Sequence, residues 1–411
     1  MPITPLIYDK QYNPEAIEAA RQISNEVHQR HYKWLVSSKF LLNQASVDST
    51  LSLQGKFCED VIFDESERVT RNQRILLLCE QEKVKEKRQK IDHQQQTIGR
   101  VVNVVNRHAE RLMTQFFTET PIEKLFHGGI PLFDHFSSFA YSPSLSLSKL
   151  HSLTTLSHHL STQVIDLTND PMFCERMGHR VRVVQDPKVA TSQIGVENAR
   201  LLFPVLMARS MLKWSDNNTK VMVPKLWQHM IITANATRLR LENAGVKDPE
   251  CGVLIGVLRT VSQFLIANHF SHLFDDALIA VMLKFREQDR REEYYACSEV
   301  LPSLAFLPEV LAKTEILLTD KLINHFTDWP TNATHIRQAV QEDVLNQPLE
   351  QRSIYGVALA QAKAFSIYEN MSQSQIFIDK HKPYWFANVK LAGTDLKELQ
   401  SRKLGRFLLN L

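Results

Sequence analysis

The amino-acid sequence predicts an all-α protein built from many helices. Glycine and proline are scarce, with 12 and 16 in 411 residues, and so few turn residues favour long helices over many short strands. Apolar residues recur every three or four positions through much of the chain, and no alternating strand pattern with hairpin turns interrupts them. Hydrophobic residues make up 44% of the chain, which is enough for a substantial core.

Composition also limits the class of partner and the compartment. A net charge of +3 is too small an excess to indicate a nucleic-acid binder. The five cysteines form no Cys-x-x-Cys pair, which favours a reduced, cytoplasmic setting. The N-terminus has no signal-peptide pattern, and apolar runs such as residues 201–208 are far shorter than the ~20 residues of a membrane span. We therefore expect a cytoplasmic protein without a membrane span.

The N-terminal region, residues 1–117, is predicted to be helical, with Pro14 near the start of its first helix. Apolar residues in its second half recur every seven positions, at Leu77, Val84, Ile91, Ile98, Val105 and Leu112. The companion heptad position is mostly polar, so only half of a coiled-coil seam is present. Self-association through residues 67–117 is a hypothesis. The basic run at residues 81–90 is interpreted as a solvated face, and a docking site for an acidic partner is the alternative.

The remainder of the chain divides by composition into three parts. Residues 118–144 are rich in proline, glycine and serine, which predicts a linker. Residues 145–345 are predicted to form a helical domain, and residues 346–411 to add helices that pack on it. Three Asp-Pro pairs, at Asp170, Asp186 and Asp248, mark predicted helix starts, with the aspartate as N-cap and the proline in the first turn.

The order and spacing of several short motifs in residues 145–345 are similar to the HDOD family. The first motif is Leu-Ser-x-x-Val-Ile-x-x-x-x-Asp170-Pro171. The others are Ile194-Gly195, Leu226-Trp227-x-His229 and Gly256-Val257-Leu258. The family name means HD-related output domain. The resemblance implies an all-helical bacterial signalling module related to the metal-dependent histidine–aspartate phosphohydrolases.

The chain departs from that family at the metal-binding positions. It reads Gly256-Val257-Leu258-Arg259-Thr260 where the family usually reads Gly-Leu-Leu-His-Asp. Arg259 has no lone pair to offer a metal and stays protonated. A divalent ion about 4 Å from its guanidinium would cost on the order of 8 kcal/mol at an effective dielectric of ~20. His229 alone cannot hold a metal and is interpreted as a packed histidine, so we predict no catalytic residue, no cofactor and no metal.

Two alternative sites remain open from the sequence. His269, His272 and Asp276 fall within about 60° on one helix face and could supply two or three metal ligands, although a polar structural face is the simpler interpretation. A basic cluster follows the Asp170 helix and could bind an anion such as a nucleotide phosphate. Its members are Arg176, His179, Arg180 and Arg182, and a solvated connection between helices is the simpler interpretation.

Three functions are consistent with these patterns. The first is a non-catalytic bacterial signalling protein that binds a protein partner or a small ligand through its HDOD-like domain. The second is a divergent phosphohydrolase that acts on nucleotides or cyclic dinucleotides with relocated ligands such as His269, His272 and Asp276. The third is a coiled-coil adaptor that works through residues 1–117.

Overall fold

The described residues of the computed structural model are all helical or irregular, which confirms the predicted all-α class. They are residues 5–7, 12–37, 78–126, 128–142, 145–180, 182–326 and 329–406, and none of them forms a strand. The first helices are α1 (Pro14–Val36), α2 (Leu78–Glu119), α3 (Ile122–Leu125), α4 (Phe133–Ala140), α5 (Leu147–Leu156), α6 (His158–Asn169), α7 (Pro171–Arg176), α8 (Pro187–Ile194) and α9 (Val196–Ser210). They are followed by α10 (Val223–Asn243), α11 (Cys251–Thr260), α12 (Ser262–Glu287), α13 (Arg291–Ala296), α14 (Leu307–His325), α15 (Thr334–Val344), α16 (Ile354–Gln373), α17 (Lys382–Asn388) and α18 (Gly393–Ser401).

Short polar side chains begin several of these helices. The Asp170 carboxylate accepts a hydrogen bond from the Met172 amide at 3.0 Å, and the Asp186 carboxylate accepts one from Lys188 at 2.9 Å. Each bond satisfies an amide that a helix start would otherwise leave unpaired. The third prediction was wrong, because α11 begins at Cys251 rather than directly after Asp248. A tight turn at residues 249–250 precedes α11, which has no side-chain cap.

Helix α10 lies at the centre of the fold, between α11 and α16. Gly252 and Gly256 allow α10 and α11 to approach closely. A Cβ atom at Gly256 would lie 2.5 Å from the Cα of Ala234, and one at Gly252 would lie 2.6 Å from the backbone of Arg238. The two glycines are four residues apart, so they face α10 from one side of α11. This close approach places the C-terminal end of α11, with Arg259 and Thr260, deep in the core.

Helices α11 and α12 are separated by one residue and together form the apolar centre of the protein. From Cys251 to Glu287 they are long enough and apolar enough to cross a membrane by length and composition. Their most apolar window is completely buried inside the protein, as expected for central helices of a folded domain. The chain itself therefore already covers this apolar surface.

The second half of α2 packs on the body of the protein against α12, α13 and α14. Its buried face repeats every four residues, at Thr97, Val101, Val105, Ala109, Met113 and Phe117. Of the predicted seven-residue series, Val105 is buried, Ile98 and Leu112 are partly buried, and Ile91 is exposed. Leu77, with residues 67–77, lies outside the described residues. A four-residue repeat typifies a helix packed on other helices of a globular body, not a coiled-coil seam.

The segment predicted as a linker, residues 118–144, is part of the core. Phe126, Phe133 and Phe136 are buried in the main hydrophobic cluster, which also contains α2 and α12. Proline, glycine and serine mark tight turns here, because the segment folds into two short helices between α2 and α5. The linker was predicted from the content of turn residues alone, and that criterion takes no account of the large aromatic side chains that bury this segment.

The two ends of the described chain meet on one side of the protein. Helix α1 contacts α14, α16 and α17, and a second hydrophobic cluster joins α1 and α10 to α16, α17 and α18. Val27 contributes to this cluster from α1, and Trp385 and Leu399 contribute from the C-terminal helices. Residues from both ends of the sequence therefore reach the centre, next to Arg259.

Candidate functional site

Arg259 is the centre of a buried cluster of charged side chains. Arg259 is 3% exposed. Its Nη1 donates to Glu315 Oε1 at 2.6 Å, and its Nε donates to Asp343 Oδ2. Asp343 also accepts from Lys363 Nζ at 2.7 Å and from Arg352 Nη1 at 3.1 Å. We call these five side chains, Arg259, Glu315, Asp343, Arg352 and Lys363, the ionic cluster. The guanidinium thus bridges two carboxylates, as a bound metal cation could, but this cation is a side chain of the protein itself.

The mutual charges keep Arg259, Glu315 and Asp343 ionised. Burial by itself would raise the pKa of Asp343, but the cations Lys363, Arg259 and Arg352 hold it well below its usual range. Burial would likewise raise the pKa of Glu315, and Arg259 and Lys363 lower it instead. Burial opposes the charge on Arg259 too, and its two carboxylate partners nevertheless raise its pKa. Both carboxylates are therefore already neutralised by protein cations.

Thr260 adds no ligand to this cluster. Its hydroxyl donates to the backbone carbonyl of Gly256 at 2.8 Å, one turn earlier in the same helix. The side chain is 1% exposed. It therefore acts as a small core residue whose hydroxyl is satisfied locally.

Three histidines lie beside the ionic cluster in neutral form. His229 is buried in α10, where Nδ1 lies 2.9 Å from the hydroxyl of Ser366, and burial together with the charge of Arg259 lowers its pKa to about 3. The ring of His31 from α1 lies 4.8 Å from that of His229, and burial and His229 hold the pKa of His31 well below 6.5. Burial also lowers the pKa of His28, whose ring meets Trp385 edge-on. These rings are packed and uncharged, and no carboxylate bonds to them.

Helix α1 covers the cluster and bonds to it. The Tyr32 hydroxyl donates to Glu315 Oε2 at 2.9 Å. The ammonium group of Lys225, which is 1% exposed, donates to the carbonyl of Trp34 and, at 2.7 Å, to that of Ser37. These carbonyls belong to the last turn of α1, where the helix dipole presents partial negative charge. Burial lowers the pKa of Lys225 to about 8.

Several polar atoms at the contact with α1 have no hydrogen-bond partner. They are Arg30 Nε, His31 Nε2, His381 Nδ1 and both side-chain polar atoms of Asn370. Ser366 and Asn370 on α16 and Ser374 at its C-cap follow one another at four-residue spacing, and the first and last of them bond to His229 and Trp34. Asn370 therefore lies on the face of α16 that meets α1 and α10. Each buried, unpaired polar atom lowers the free energy of unfolding by about 1–3 kcal/mol. The contact of α1 with the rest of the protein is therefore polar, and not all of its hydrogen bonds are satisfied.

The remaining positions of the motif series have structural roles. Asp170 caps α7 and Pro171 occupies its first turn. Gly195 separates α8 from α9 with φ of +78°, a conformation that favours glycine. Trp227 is partly buried and its ring meets Trp214 edge-on. Gly256 provides the close contact between α10 and α11.

The alternative metal ligands do not converge. His269 is buried against Phe116 and Phe117, and its Nε2 lies 2.7 Å from the carbonyl of Leu125. His272 is exposed and pairs with Asp276 at 2.9 Å on the surface of α12. Within the described residues, no group of three or more His, Cys, Asp or Glu side chains could hold a metal ion. The three residues are neighbours on α12, but His269 points into the core whereas His272 and Asp276 are on the surface.

Both predicted basic surfaces are exposed. Arg176 is exposed at the end of α7, and His179, Arg180 and Arg182 are exposed on the connection that follows it. Along α2, the described side chains of residues 83 and 85–96 are exposed as well.

Sequence reasoning missed the residues that complete the cluster. Glu315, Asp343 and Lys363 lie 56 or more positions beyond Arg259, and Tyr32 lies far before it. One signal was present. A buried arginine in an apolar helix needs carboxylate partners, so the most apolar segments that contain Asp or Glu were candidates. That signal could not choose among the acidic residues of the chain.

Comparison with known proteins identifies the central segment. The sequence model of the HDOD domain matches residues 133–295. A solved structure from Shewanella amazonensis SB2B, described as a proposed phosphohydrolase, is 17% identical and covers 72% of this chain and 95% of its own. Its TM-score is 0.38, a likeness too weak to indicate a shared site. No curated protein matches the chain.

The predicted range was residues 145–345. The matched segment begins earlier, at residue 133, and also ends earlier, at residue 295. It contains Arg259, Thr260 and His229, whereas Glu315, Asp343, Lys363 and Tyr32 come from outside it. The motifs around Asp170, Gly195, His229 and Gly256 all fall within it. Residues 133–295 therefore match the HDOD domain, and the resemblance seen in the sequence motifs is confirmed for this segment.

Proposed function

We propose that this protein is a non-catalytic signalling protein that works by binding a partner through its helical body. The observation that carries the proposal is the Arg259 guanidinium, which is buried and bonded to both Glu315 and Asp343. Metal-dependent hydrolysis needs carboxylate or imidazole lone pairs around a cation and an open position for water. Here the lone pairs of both carboxylates are used by protein cations.

The setting proposed is the bacterial cytoplasm, where HDOD modules serve signal transduction. Support comes from the HDOD match and from the free thiols of Cys174, Cys251 and Cys297, which lie buried in the described part of the chain. The alternative is a divergent phosphohydrolase that acts on nucleotides or cyclic dinucleotides. His269, His272 and Asp276 do not support it, because His269 is buried in the core whereas His272 and Asp276 pair with each other on the exposed surface.

The test is metal content and turnover of the purified full-length protein. We expect less than stoichiometric Mg²⁺, Mn²⁺, Fe²⁺ or Zn²⁺ after incubation with each ion, and no hydrolysis of nucleotides or cyclic dinucleotides. The variant Arg259→His with Thr260→Asp restores the two residues usual in the family and is the comparator for metal uptake. Stoichiometric metal in the natural sequence, lost in His229→Ala, would replace this proposal with the phosphohydrolase.

A further inference from the structure

The second half of α12 exposes neighbouring apolar side chains on its outer face. Ile279 is 56% exposed and Leu283 is 49% exposed, and they lie one turn apart on the same side of the helix. Ala280 is exposed between them, and Leu278 and Met282 are only partly buried. A single exposed leucine is ordinary on a protein surface, whereas contiguous apolar side chains mark a candidate contact surface.

Charged side chains of opposite sign lie at the two ends of this apolar surface. Asp275 lies one turn before Ile279, Arg286 lies about one turn after Leu283, and both are exposed. At about 100° per residue, these four side chains, which we call the α12 stripe, fall within about 80° on one side of the helix. Within the described residues, neither Asp275 nor Arg286 forms an ion pair, so both charges are available to another molecule.

The α12 stripe is complementary to itself in the antiparallel direction. If a second copy of α12 packs against it about a two-fold axis midway between Ile279 and Leu283, each of these side chains meets the other type on the second copy. Asp275 then lies beside Arg286 of the second copy, and the symmetry repeats this pair. In a parallel arrangement like charges would meet instead, which is repulsive. Charge therefore selects the antiparallel arrangement, and the apolar side chains supply the buried area.

The charges beside the stripe oppose this pairing only in part. Asp276 lies at the edge of the stripe and would come level with Glu287 of the second copy, which is an unfavourable pair. Asp276 already pairs with His272 at 2.9 Å on its own helix, and these groups are exposed, so solvent screens the repulsion. Beyond the end of α12, Arg291 pairs with Asp289 at 3.1 Å. The remaining complementary pair is the one between Asp275 and Arg286.

We propose that α12 is a self-association surface, on which two copies of this chain pair in antiparallel orientation through the α12 stripe. A single helix face is smaller than a standard interface, which buries about 800 Å² per partner. We therefore expect a reversible dimer with a dissociation constant on the order of micromolar. This surface differs from residues 67–117, for which the sequence suggested self-association. The proposal goes beyond the non-catalytic function and does not depend on it.

Charge reversal in the full-length protein tests the orientation of the two copies. The variants are Asp275→Arg and Arg286→Asp, and sedimentation from about 1 to 200 µM measures dimerisation. Each variant alone brings like charges together twice, so we expect it to dimerise at least tenfold more weakly than the natural protein. An equimolar mixture of the two variants, with one of them fluorescently labelled, should form a heterodimer about as tightly as the natural protein dimerises. In the mixed pair, both ends of the stripe again join a positive and a negative side chain.

A matched control separates the stripe from net charge. Lys284→Asp makes the same charge change as Arg286→Asp, but its exposed side chain lies about 130° from the centre of the stripe. It should dimerise like the natural protein. Leu283→Asn should weaken the dimer at least tenfold without a change in sign of charge. Circular dichroism checks that each variant is folded, as expected for substitutions at exposed positions.

Three results would overturn the proposal. The first is a natural protein that stays monomeric over the whole concentration range. The second is a dimer that forms equally well in both charge variants, since another surface would then hold the copies together. The third is a mixture of the two variants that remains monomeric although the natural protein dimerises. None of these readouts depends on metal or turnover, so a failure here is distinct from a failure of the non-catalytic proposal.

Discussion

At the scale of single residues, Arg259 determines what the centre of this protein can do. A buried guanidinium is stable only with carboxylate partners, and Glu315 and Asp343 supply them at hydrogen-bonding distance. A bridge of this kind stabilises little compared with a well-packed apolar core, but the loss of one partner leaves the other charges uncompensated.

The substitution Arg259→Met tests the ionic cluster. We expect the free energy of unfolding to fall by about 3–5 kcal/mol, because two buried carboxylates lose their shared cation. Guanidinium chloride denaturation of both proteins measures the change. The control is Arg291→Met, since Arg291 is highly exposed and pairs with exposed Asp289; it should change stability by about 1 kcal/mol or less. A small effect of Arg259→Met, equal to that of the control, would contradict the account.

The neutral histidines predict how stability depends on pH. The pKa of His229 in the folded protein is about 3, below the value of ~6.5 expected in the unfolded chain, so the unfolded state binds more protons between these values. The contribution is intact above pH ~6.5 and is lost as the pH falls below it. His28 and His31 add to the loss because burial lowers their pKa values too.

The measurement is denaturant unfolding between pH 7.5 and pH 5. Each proton taken up on unfolding contributes a slope of about 1.4 kcal/mol per pH unit. His229→Asn keeps a hydrogen-bonding group near Ser366 and should reduce the slope by about one proton. Equal slopes in the natural protein and in His229→Asn would show that His229 is not buried in neutral form.

At the scale of elements, the contact between α10 and α11 positions Arg259. Backbone atoms of the two helices approach so closely at Gly256 that a methyl group has no space. Packed interiors resist such additions, because the neighbouring atoms are backbone and cannot rotate away. The pair of glycines therefore explains how a short helix delivers a charged side chain to the core.

Gly256→Ala is expected to destabilise the protein by about 1–3 kcal/mol or more, because the added Cβ would lie 2.5 Å from Ala234 Cα. Gly99→Ala is the matched control at an exposed position of α2, where nothing lies within 4 Å of the added atom. Removal of that glycine should stabilise α2 by about 0.5–1 kcal/mol. Thermal unfolding of the two variants gives the comparison. The explanation fails if both substitutions shift stability in the same direction.

At the scale of the whole molecule, the segment that matches the HDOD domain does not complete its core by itself. Helix α10 packs as extensively on α16, which lies outside the matched residues 133–295, as on α11, which lies inside them. Helix α2, which precedes the matched residues in the sequence, also packs on α12. The buried charges follow the same pattern, since Arg259 lies inside the domain and its partners lie outside it.

A fragment of residues 133–345 is expected not to fold cooperatively. It lacks α1, α2 and α16, and therefore exposes the apolar faces of α10 and α12 and leaves Asp343 without Lys363. Circular dichroism should show a broad, non-cooperative thermal transition for the fragment and a sharp one for the full chain. A sharp transition in the fragment would show that the HDOD domain is autonomous.

The sequence by itself determined the all-α class, two Asp-Pro helix starts and the HDOD motifs, because caps and apolar periodicity depend on neighbours within a few positions. It also identified Arg259 as the departure from the family pattern. Only the tertiary structure chose Glu315 and Asp343 as its partners and placed α1 over them. Ion pairs between residues 56 and 84 positions apart leave no local pattern, since many acidic residues satisfy the same chemistry and only packing selects among them.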